Sequence, residues 1–251
     1  VLEELHRELL DVPTEVFAAG PERLGEVSAR VLERLEREAE LWLGLPSLWR
    51  LSRGHLERAI AAFVAWDFEQ LDRKRARPIA VEHAFGRGDH DPVRLSGRDV
   101  RGRPAELLLA GRIDRVDRLD AGEGGVRVVD YKRKGTLGTA GYDDGALLQS
   151  ALYMRAWELL RGERPEEGLF LSVLEPGKGS RSGLPADRAD AVLRFALSIP
   201  ARVRAGLFEP VQAGSNDPPA SWQPGPEITR TDAVVSAGHR FDNPAEGASD
   251  G

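Results

Sequence analysis

Apolar residues recur at helical spacing over the first third of the chain. Residues 1–10 carry them at positions 1, 2, 5, 9 and 10, and a similar pattern returns over 22–43 and again over 47–77. Apolar positions spaced by three and four residues are typical of amphipathic helices. The pattern therefore predicts three helices, the last of them closed by Pro78, because proline cannot continue a helix.

The period changes after Pro78, where alternating apolar positions and turn residues begin. Strands are predicted at 78–86, 93–96, 105–120, 126–134 and 167–175, with a hairpin turn at 121–125. Helices are predicted at 146–161 and 186–205. Helices, then a meander of strands, then helix, strand and helix indicate an α/β (α+β) fold with a mixed central sheet flanked by helices.

Composition excludes several classes of function. The chain has 251 residues, with 41% hydrophobic and 30% charged residues, which is typical of a soluble globular protein. A net charge of −6 argues weakly against action on nucleic acid, although arginine is locally dense. The absence of cysteine excludes disulfides, zinc–thiolate centres and cysteine nucleophiles. No apolar run approaches the ~20 residues of a membrane span, and no signal pattern is present, so we expect a cytoplasmic protein.

Charged residues lie on two neighbouring predicted strands. Asp114 lies in GRIDRVD, and Asp130 and Lys132 lie in VVDYK. Residues two apart on a strand face the same side, and the hairpin places Asp114 on the neighbouring strand near the same end. Two carboxylates in a mostly apolar sheet repel each other unless a cation lies between them, and oxygen ligands suit Mg²⁺ or Mn²⁺. This pattern indicates metal-dependent hydrolysis of a phosphodiester, with Lys132 orienting water or stabilising charge.

The three motifs GRIDRVD, VVDYKRKG and QSALY occur in this order over roughly residues 78–175. Together they resemble the PD-(D/E)XK nuclease superfamily, and in particular the RecB-type domain of exonuclease V subunits and related helicase-associated repair nucleases. The resemblance implies a restriction-endonuclease-like core, a DNA substrate, Mg²⁺ or Mn²⁺ as cofactor, and a helicase subunit or helicase domain as partner in DNA repair or recombination.

The resemblance also implies a role for each matching residue. Asp114, Asp130 and the backbone carbonyl of Tyr131 would hold the metal, and Lys132 would be the catalytic lysine. Two further residues, Gln149 and Tyr153, are four apart and therefore share one helix face. They would face the site and help to place the lysine strand or the DNA.

The terminal segments match the family less completely. The family has an early histidine, and VLEELHRELL resembles the segment that follows it, so we expect a fragment whose motif histidine lies upstream of Val1, with His6 as the nearest candidate. Many members also hold an iron–sulfur cluster with four cysteines. The segment AGLFEPVQAG resembles the text that precedes three of those cysteines, but no cysteine follows it here, so no cluster is expected. We expect 1–77 to be the helical N-terminal part of the nuclease domain, 78–209 its core, and 210–251 a flexible tail.

Each candidate residue also has a plainer explanation. Asp114 could be a strand carboxylate paired with arginine, Asp130 and Lys132 could form an ordinary ion pair, and Tyr153 could be core packing. Glu82, on the strand before the motif, could be a further ligand or proton-handling group, although a structural role is favoured. The main alternative function is a catalytically inactive nuclease-fold module that binds DNA or has a structural role. A third is a helical interaction protein with an incidental D-x-K.

Overall fold

The computed structural model describes residues 46–119, 124–132, 148–176 and 181–206, together with isolated positions nearer the N-terminus. Within the helices predicted at 1–10 and 22–43, the structure describes only scattered residues, which include Arg7, Glu26 and Arg30 and are helical; the candidate His6 and the predicted tail 210–251 lie outside the described residues. Within the described part of the chain, no helix has both the length and the apolar character needed to cross a membrane.

The described residues form three helices and seven strands. In order they are α1 (Pro46–Lys74), β1 (Ala76–Phe85), β2 (Val93–Arg98), β3 (Pro104–Leu109), β4 (Gly111–Leu119), β5 (Val126–Lys132), α2 (Gln149–Arg161), β6 (Glu167–Ser172), β7 (Arg181–Pro185) and α3 (Ala186–Arg204).

Five of these strands form one mixed sheet in the order β1-β4-β5-β6-β7. β1, β4 and β5 are antiparallel neighbours, β5 and β6 are parallel, and β7 returns antiparallel to β6. The chain between the two parallel strands contains α2, as a parallel connection requires. β2 and β3 form a separate two-stranded sheet. The predicted α/β fold with a mixed central sheet is therefore confirmed.

Strand β5 is buried because helices cover both of its faces. On one side the Tyr131 ring meets the edge of Phe63 from α1, with ring centroids 5.7 Å apart. On the other side α2 lies close to the neighbouring strand β6, where a Cβ at Gly168 would be only 3.0 Å from Met154 Sδ. A strand covered on both faces favours apolar residues on each face, which explains Val126, Val128 and Val129.

The chain divides into two compact units, residues 1–95 with 106–193, and residues 96–105 with 194–251. The first unit contains the five-stranded sheet and the helices α1 and α2. In the second unit, Asp99 stabilises a tight turn, since its Oδ1 accepts hydrogen bonds from the backbone N–H groups of Arg101 and Arg103 at 2.8 and 2.9 Å.

One helix and one strand end earlier than predicted. The helix predicted over 47–77 ends at Lys74, because Arg75 adopts a left-handed backbone conformation with φ of 47°. Pro78 therefore does not end the helix but lies inside β1, next to an irregularity in its pairing with β4. The strand predicted over 167–175 ends at Ser172.

Two further strands were predicted wrongly or missed. The long strand predicted over 105–120 is interrupted at Ala110, so that β3 pairs with β2 while β4 joins the main sheet. Gly86 approaches this break so closely that a Cβ there would lie 2.7 Å from that of Ala110. β7 was not predicted, because glycine and proline in RSGLP are typical of a loop. It is an edge strand, where such residues are tolerated.

Candidate active site

Asp114 and Asp130 lie on the neighbouring antiparallel strands β4 and β5. The register pairs Arg115 with Val129, and the next step along it brings Asp114 alongside Asp130. The backbone N–H of Tyr131 donates a hydrogen bond to Asp114 Oδ2 at 2.8 Å. The first carboxylate is therefore attached to the strand that carries the second.

A second set of contacts joins Asp130, Lys132 and Gln149. Asp130 Oδ2 lies 2.6 Å from Lys132 Nζ. The Gln149 side chain joins the same two residues, since its Nε2 donates to Asp130 Oδ1 at 2.7 Å and its Oε1 accepts from Lys132 Nζ at 2.8 Å. One amide at the start of α2 thus bonds to a carboxylate and an ammonium that stand two residues apart on β5.

The electrostatic environment of Asp130 disfavours its ionised form. Its side chain is only 6% exposed, and burial raises the pKa of Asp130 above its ordinary value. The contact with Lys132 opposes this shift, whereas the negative charge of Asp114 adds to the increase in pKa. A buried carboxylate with a second carboxylate as neighbour is a site that a cation stabilises.

Tyr153 belongs both to this site and to the core. Its hydroxyl accepts a hydrogen bond from Gln149 Nε2 at 3.0 Å, one helical turn away. Its ring meets the edge of Phe85 from β1 at a centroid distance of 6.1 Å. The two rings leave no room for a side chain at Gly111, where a Cβ would lie 2.9 Å from the Phe85 ring. The ring contact supports the core-packing explanation, and the role of Tyr153 in a nuclease site stays a prediction.

Glu82 lies on β1, beside the strand that carries Asp114. The pairs on either side of it, Val81 with Arg115 and His83 with Ile113, place it next to Asp114 across the sheet. Its backbone is left-handed, with φ of 49°, and its carboxylate forms an ion pair with Arg112. Glu82 has the structural contact that was favoured, and a further role as ligand stays a prediction.

The comparison with known families decides the identity of this arrangement. The family model of the PD-(D/E)XK nuclease superfamily matches residues 1–217. The chain belongs to this superfamily. The mixed sheet flanked by helices is thus that of a PD-(D/E)XK nuclease domain.

The chain is also similar to three curated proteins, each named as a subunit of an ATP-dependent helicase/deoxyribonuclease. Identity is 32% over 181 residues, or 68% of this chain, for the protein of Symbiobacterium thermophilum. It is 31% over 237 residues, or 84% of this chain, for that of Desulforudis audaxviator. It is 30% over 140 residues, or 53% of this chain, for that of Pediococcus pentosaceus. The matches span only 15%, 19% and 11% of those proteins, respectively.

The donor set of this nuclease domain fits a hard divalent cation. Asp114 and Asp130 offer carboxylate oxygens, and the backbone of Tyr131 between Asp130 and Lys132 offers a carbonyl oxygen. Oxygen donors of this kind suit Mg²⁺ and Mn²⁺, which keep several waters when bound to proteins. Across the described ranges, no group of three or more histidine and acidic side chains is arranged to hold a metal.

Sequence reasoning missed a buried set of charges behind β5. Asp67, Arg115, Asp117 and Arg127 are all at most 3% exposed. The alternation of charged and apolar residues in GRIDRVDRLD carried a signal, because a strand inside a sheet has no solvent for such charges. That signal does not identify the partner Asp67, which lies 48 residues before Arg115.

Proposed function

We propose that this domain is a metal-dependent deoxyribonuclease that hydrolyses phosphodiester bonds in DNA. The observation that carries the proposal is the Gln149 amide bonded to both Asp130 and Lys132, beside the carboxylate of Asp114. An ordinary surface ion pair has no need of a third, half-buried partner of this kind. A site that must keep a carboxylate and an ammonium in fixed geometry needs such a partner.

In this proposal, Asp114 and Asp130 hold Mg²⁺ or Mn²⁺ together with the backbone carbonyl of Tyr131. Bound in this way, the ion supplies Lewis-acid polarisation of the phosphoryl oxygen and acidifies a water molecule. Burial, and to a smaller extent the charge of Asp114, raise the pKa of Asp130, and a bound cation would offset both effects, which supports this assignment.

Lys132 is the proposed catalytic residue. Its side chain is 36% exposed, and its ammonium lies over the Phe170 ring, with Nζ 5.0 Å from the centroid. The ammonium orients the attacking water and stabilises the negative charge that develops on the phosphoryl oxygens. Gln149 keeps Lys132 and Asp130 in place, and Tyr153 in turn holds the Gln149 amide.

The names of the relatives support a wider proposal. They are helicase/deoxyribonuclease subunits, and we propose that this domain likewise acts beside a helicase in DNA repair or recombination. The chain spans less than a fifth of their length, so the helicase partner is part of the proposal. The cytoplasmic location stays a prediction.

A cleavage assay with matched lysine variants tests the proposal. The wild-type chain, Lys132→Met and Lys74→Met are incubated with single- and double-stranded DNA in Mg²⁺, in Mn²⁺ and in a chelator. Lys74, in the last turn of α1, is the matched control. We expect cleavage by the wild type only with metal, a loss of about 100-fold or more in Lys132→Met, and no loss in Lys74→Met. Equal rates in both variants would remove Lys132 from the mechanism.

The second candidate is a catalytically inactive module that keeps the nuclease fold and binds DNA. The observation that favours it is the small ligand set of the described residues, which offers two close carboxylates and no third ligand side chain in a group. This candidate predicts a folded wild-type chain that shifts DNA in a gel without cutting it in either metal. Cleavage that disappears in Asp130→Ala excludes it.

A further inference from the structure

We propose that the buried charge network formed by Asp67, Arg115, Asp117 and Arg127 positions the strand that carries the metal ligands, with Arg115 as its central residue. The proposal rests on the proposed nuclease function and assigns positioning residues to the same site. None of the four side chains is part of the arrangement around Gln149.

The network connects helix α1 to strands β4 and β5. The Arg115 guanidinium holds Asp67 of α1 with two parallel hydrogen bonds, of which Nη2 to Oδ1 measures 3.0 Å. Its Nε lies 2.9 Å from Asp117 Oδ1 on the same strand. The other oxygen of Asp117 accepts a hydrogen bond from Arg127 Nε of β5 at 2.9 Å. Two cations and two anions therefore alternate through the interior.

Stability alone does not account for these charges. Arg115 and Asp117 are 0% exposed, and Asp67 and Arg127 are 3% and 2% exposed. Buried ion pairs lose so much hydration that apolar residues of similar volume serve a fold as well or better. Removing one member, however, leaves an uncompensated charge. Such a network has a use when it selects one geometry of the chain among several. Here it lies against β5, the strand that carries Asp130 and Lys132.

The network reaches the site through Tyr131. The Arg115 guanidinium carbon lies 5.5 Å from the centroid of the Tyr131 ring, and Phe63 of α1 packs edge-on against the same ring. Tyr131 stands between Asp130 and Lys132, whose side chains contact Gln149 of α2 instead. A ring fixed on the α1 side therefore fixes the rotation of this strand end, and with it the direction of both flanking side chains.

Arg115 is also connected to Asp114, the other proposed carboxylate ligand. Arg115 follows Asp114 directly in β4, and the Asp114 carboxylate accepts the backbone N–H of Tyr131. Each proposed carboxylate ligand is thus adjacent in sequence to a residue of the Arg115–Tyr131 contact. Arg115 acts on metal binding through Tyr131 and the backbone, without touching metal or substrate. Outer partners of this kind typically change metal affinity or activity by about 10- to 100-fold.

The experiment compares Asp67→Asn and Arg115→Lys with the control Val126→Ala. Asp67→Asn keeps the shape and removes one charge, and Arg115→Lys keeps the charge and removes the two-pronged contact. Val126 is fully buried at the far end of β5, so its truncation lowers stability while leaving all four charged side chains of the network in place. Each protein is measured for melting temperature, calorimetric Mn²⁺ affinity, kcat and KM for DNA cleavage, and amide exchange at Tyr131 relative to Val128.

We expect Mn²⁺ affinity and kcat to fall about tenfold in Asp67→Asn, with KM for DNA little changed and Tyr131 exchange accelerated relative to Val128. Arg115→Lys should show a smaller change of the same kind, and Val126→Ala should change the melting temperature alone. The proposal is overturned if Asp67→Asn matches Val126→Ala in all four measurements.

Two further outcomes are decisive as well. If Asp67→Asn does not fold, Arg115→Lys decides by the same comparison with Val126→Ala. If the wild type neither binds Mn²⁺ nor cleaves DNA, the proposed nuclease function fails, and the exchange ratio of Tyr131 to Val128 alone decides whether the network positions the strand.

Discussion

Replacing Gln149 with alanine removes one side chain that contacts three members of the proposed site. The variant deletes the hydrogen bonds to Asp130 Oδ1 at 2.7 Å, from Lys132 Nζ at 2.8 Å and to the Tyr153 hydroxyl at 3.0 Å. The backbone of α2 is left intact, since alanine is a good helix former. Any effect on cleavage then reports the loss of the amide rather than the loss of the helix.

The expected loss of stability is modest. A hydrogen bond to a charged group contributes about 1.5–3 kcal/mol to the free energy of unfolding, and a neutral one about 1 kcal/mol. Lys132 is 36% exposed, so water replaces most of what it loses, whereas Asp130 is 6% exposed and loses a donor that water reaches poorly. We therefore expect a net decrease of about 2 kcal/mol in the free energy of unfolding.

The expected loss of cleavage is larger than this stability change accounts for. Without the amide, the Lys132 ammonium and the Asp130 carboxylate lose the partner that they share but keep their direct ion pair, which competes with metal binding by Asp130. Loss of a partner that orients a metal ligand lowers affinity or activity by about 10- to 100-fold. A folded chain at a temperature well below its melting point should therefore show a decrease in kcat of that size.

The assay measures melting temperature and initial rates of Mg²⁺-dependent cleavage on the same preparations. Gln149→Glu is the first control, because its carboxylate still accepts from Lys132 but no longer donates to Asp130. The added negative charge should raise the pKa of Asp130 further, so this variant should cleave at least as poorly as Gln149→Ala. Leu159→Ala is the second control, since Leu159 is 45% exposed on the same helix and should change neither quantity.

Wild-type cleavage by Gln149→Ala, with a lowered melting temperature, would refute the reasoning and leave Gln149 as a structural residue of the α2 N-terminus. Higher cleavage in Gln149→Glu than in Gln149→Ala would contradict the role given to the Asp130 bond, and would assign the whole effect to Lys132.

Three other predictions follow from buried groups and helix propensity. Burial and the charge of Asp114 raise the pKa of Asp130, so the stability that Asp130 contributes is lost as pH rises through its folded pKa. In metal-free melts from acid to neutral pH, the melting temperature of Asp130→Asn should therefore rise relative to that of the wild type, and the opposite change would contradict this. Burial, and then the charge of Arg161, lower the pKa of His83, so stability should be lost as pH falls below about 6.5. His83→Gln should therefore show a smaller fall in melting temperature between pH 7 and 5 than the wild type, and an equal fall would contradict this. Gly54→Ala inside α1 meets no atom closer than 3.5 Å, so it should raise the melting temperature by about 1–4 °C, whereas a decrease would reveal a constraint on that backbone.

The sequence by itself determined the elements that carry the proposed site. The period of two along VVDYK predicts that Asp130 and Lys132 share a face, and both indeed contact the same amide. The spacing of four between Gln149 and Tyr153 predicts one helix face, and a hydrogen bond joins the two side chains. These features depend on local backbone geometry, which repeats with the same period wherever a strand or a helix forms.

Only the tertiary structure decided which distant residues support that site. The bond between Arg115 and Asp67 joins positions 48 residues apart, and Glu82 faces Arg112 because of a local left-handed backbone and the register of β1 with β4. The break at Ala110 and the edge strand β7 likewise depend on which strands pair, and the local sequence of RSGLP favours a loop. Pairings of this kind arise when the chain packs a shared interior, so no periodicity within a single segment records them.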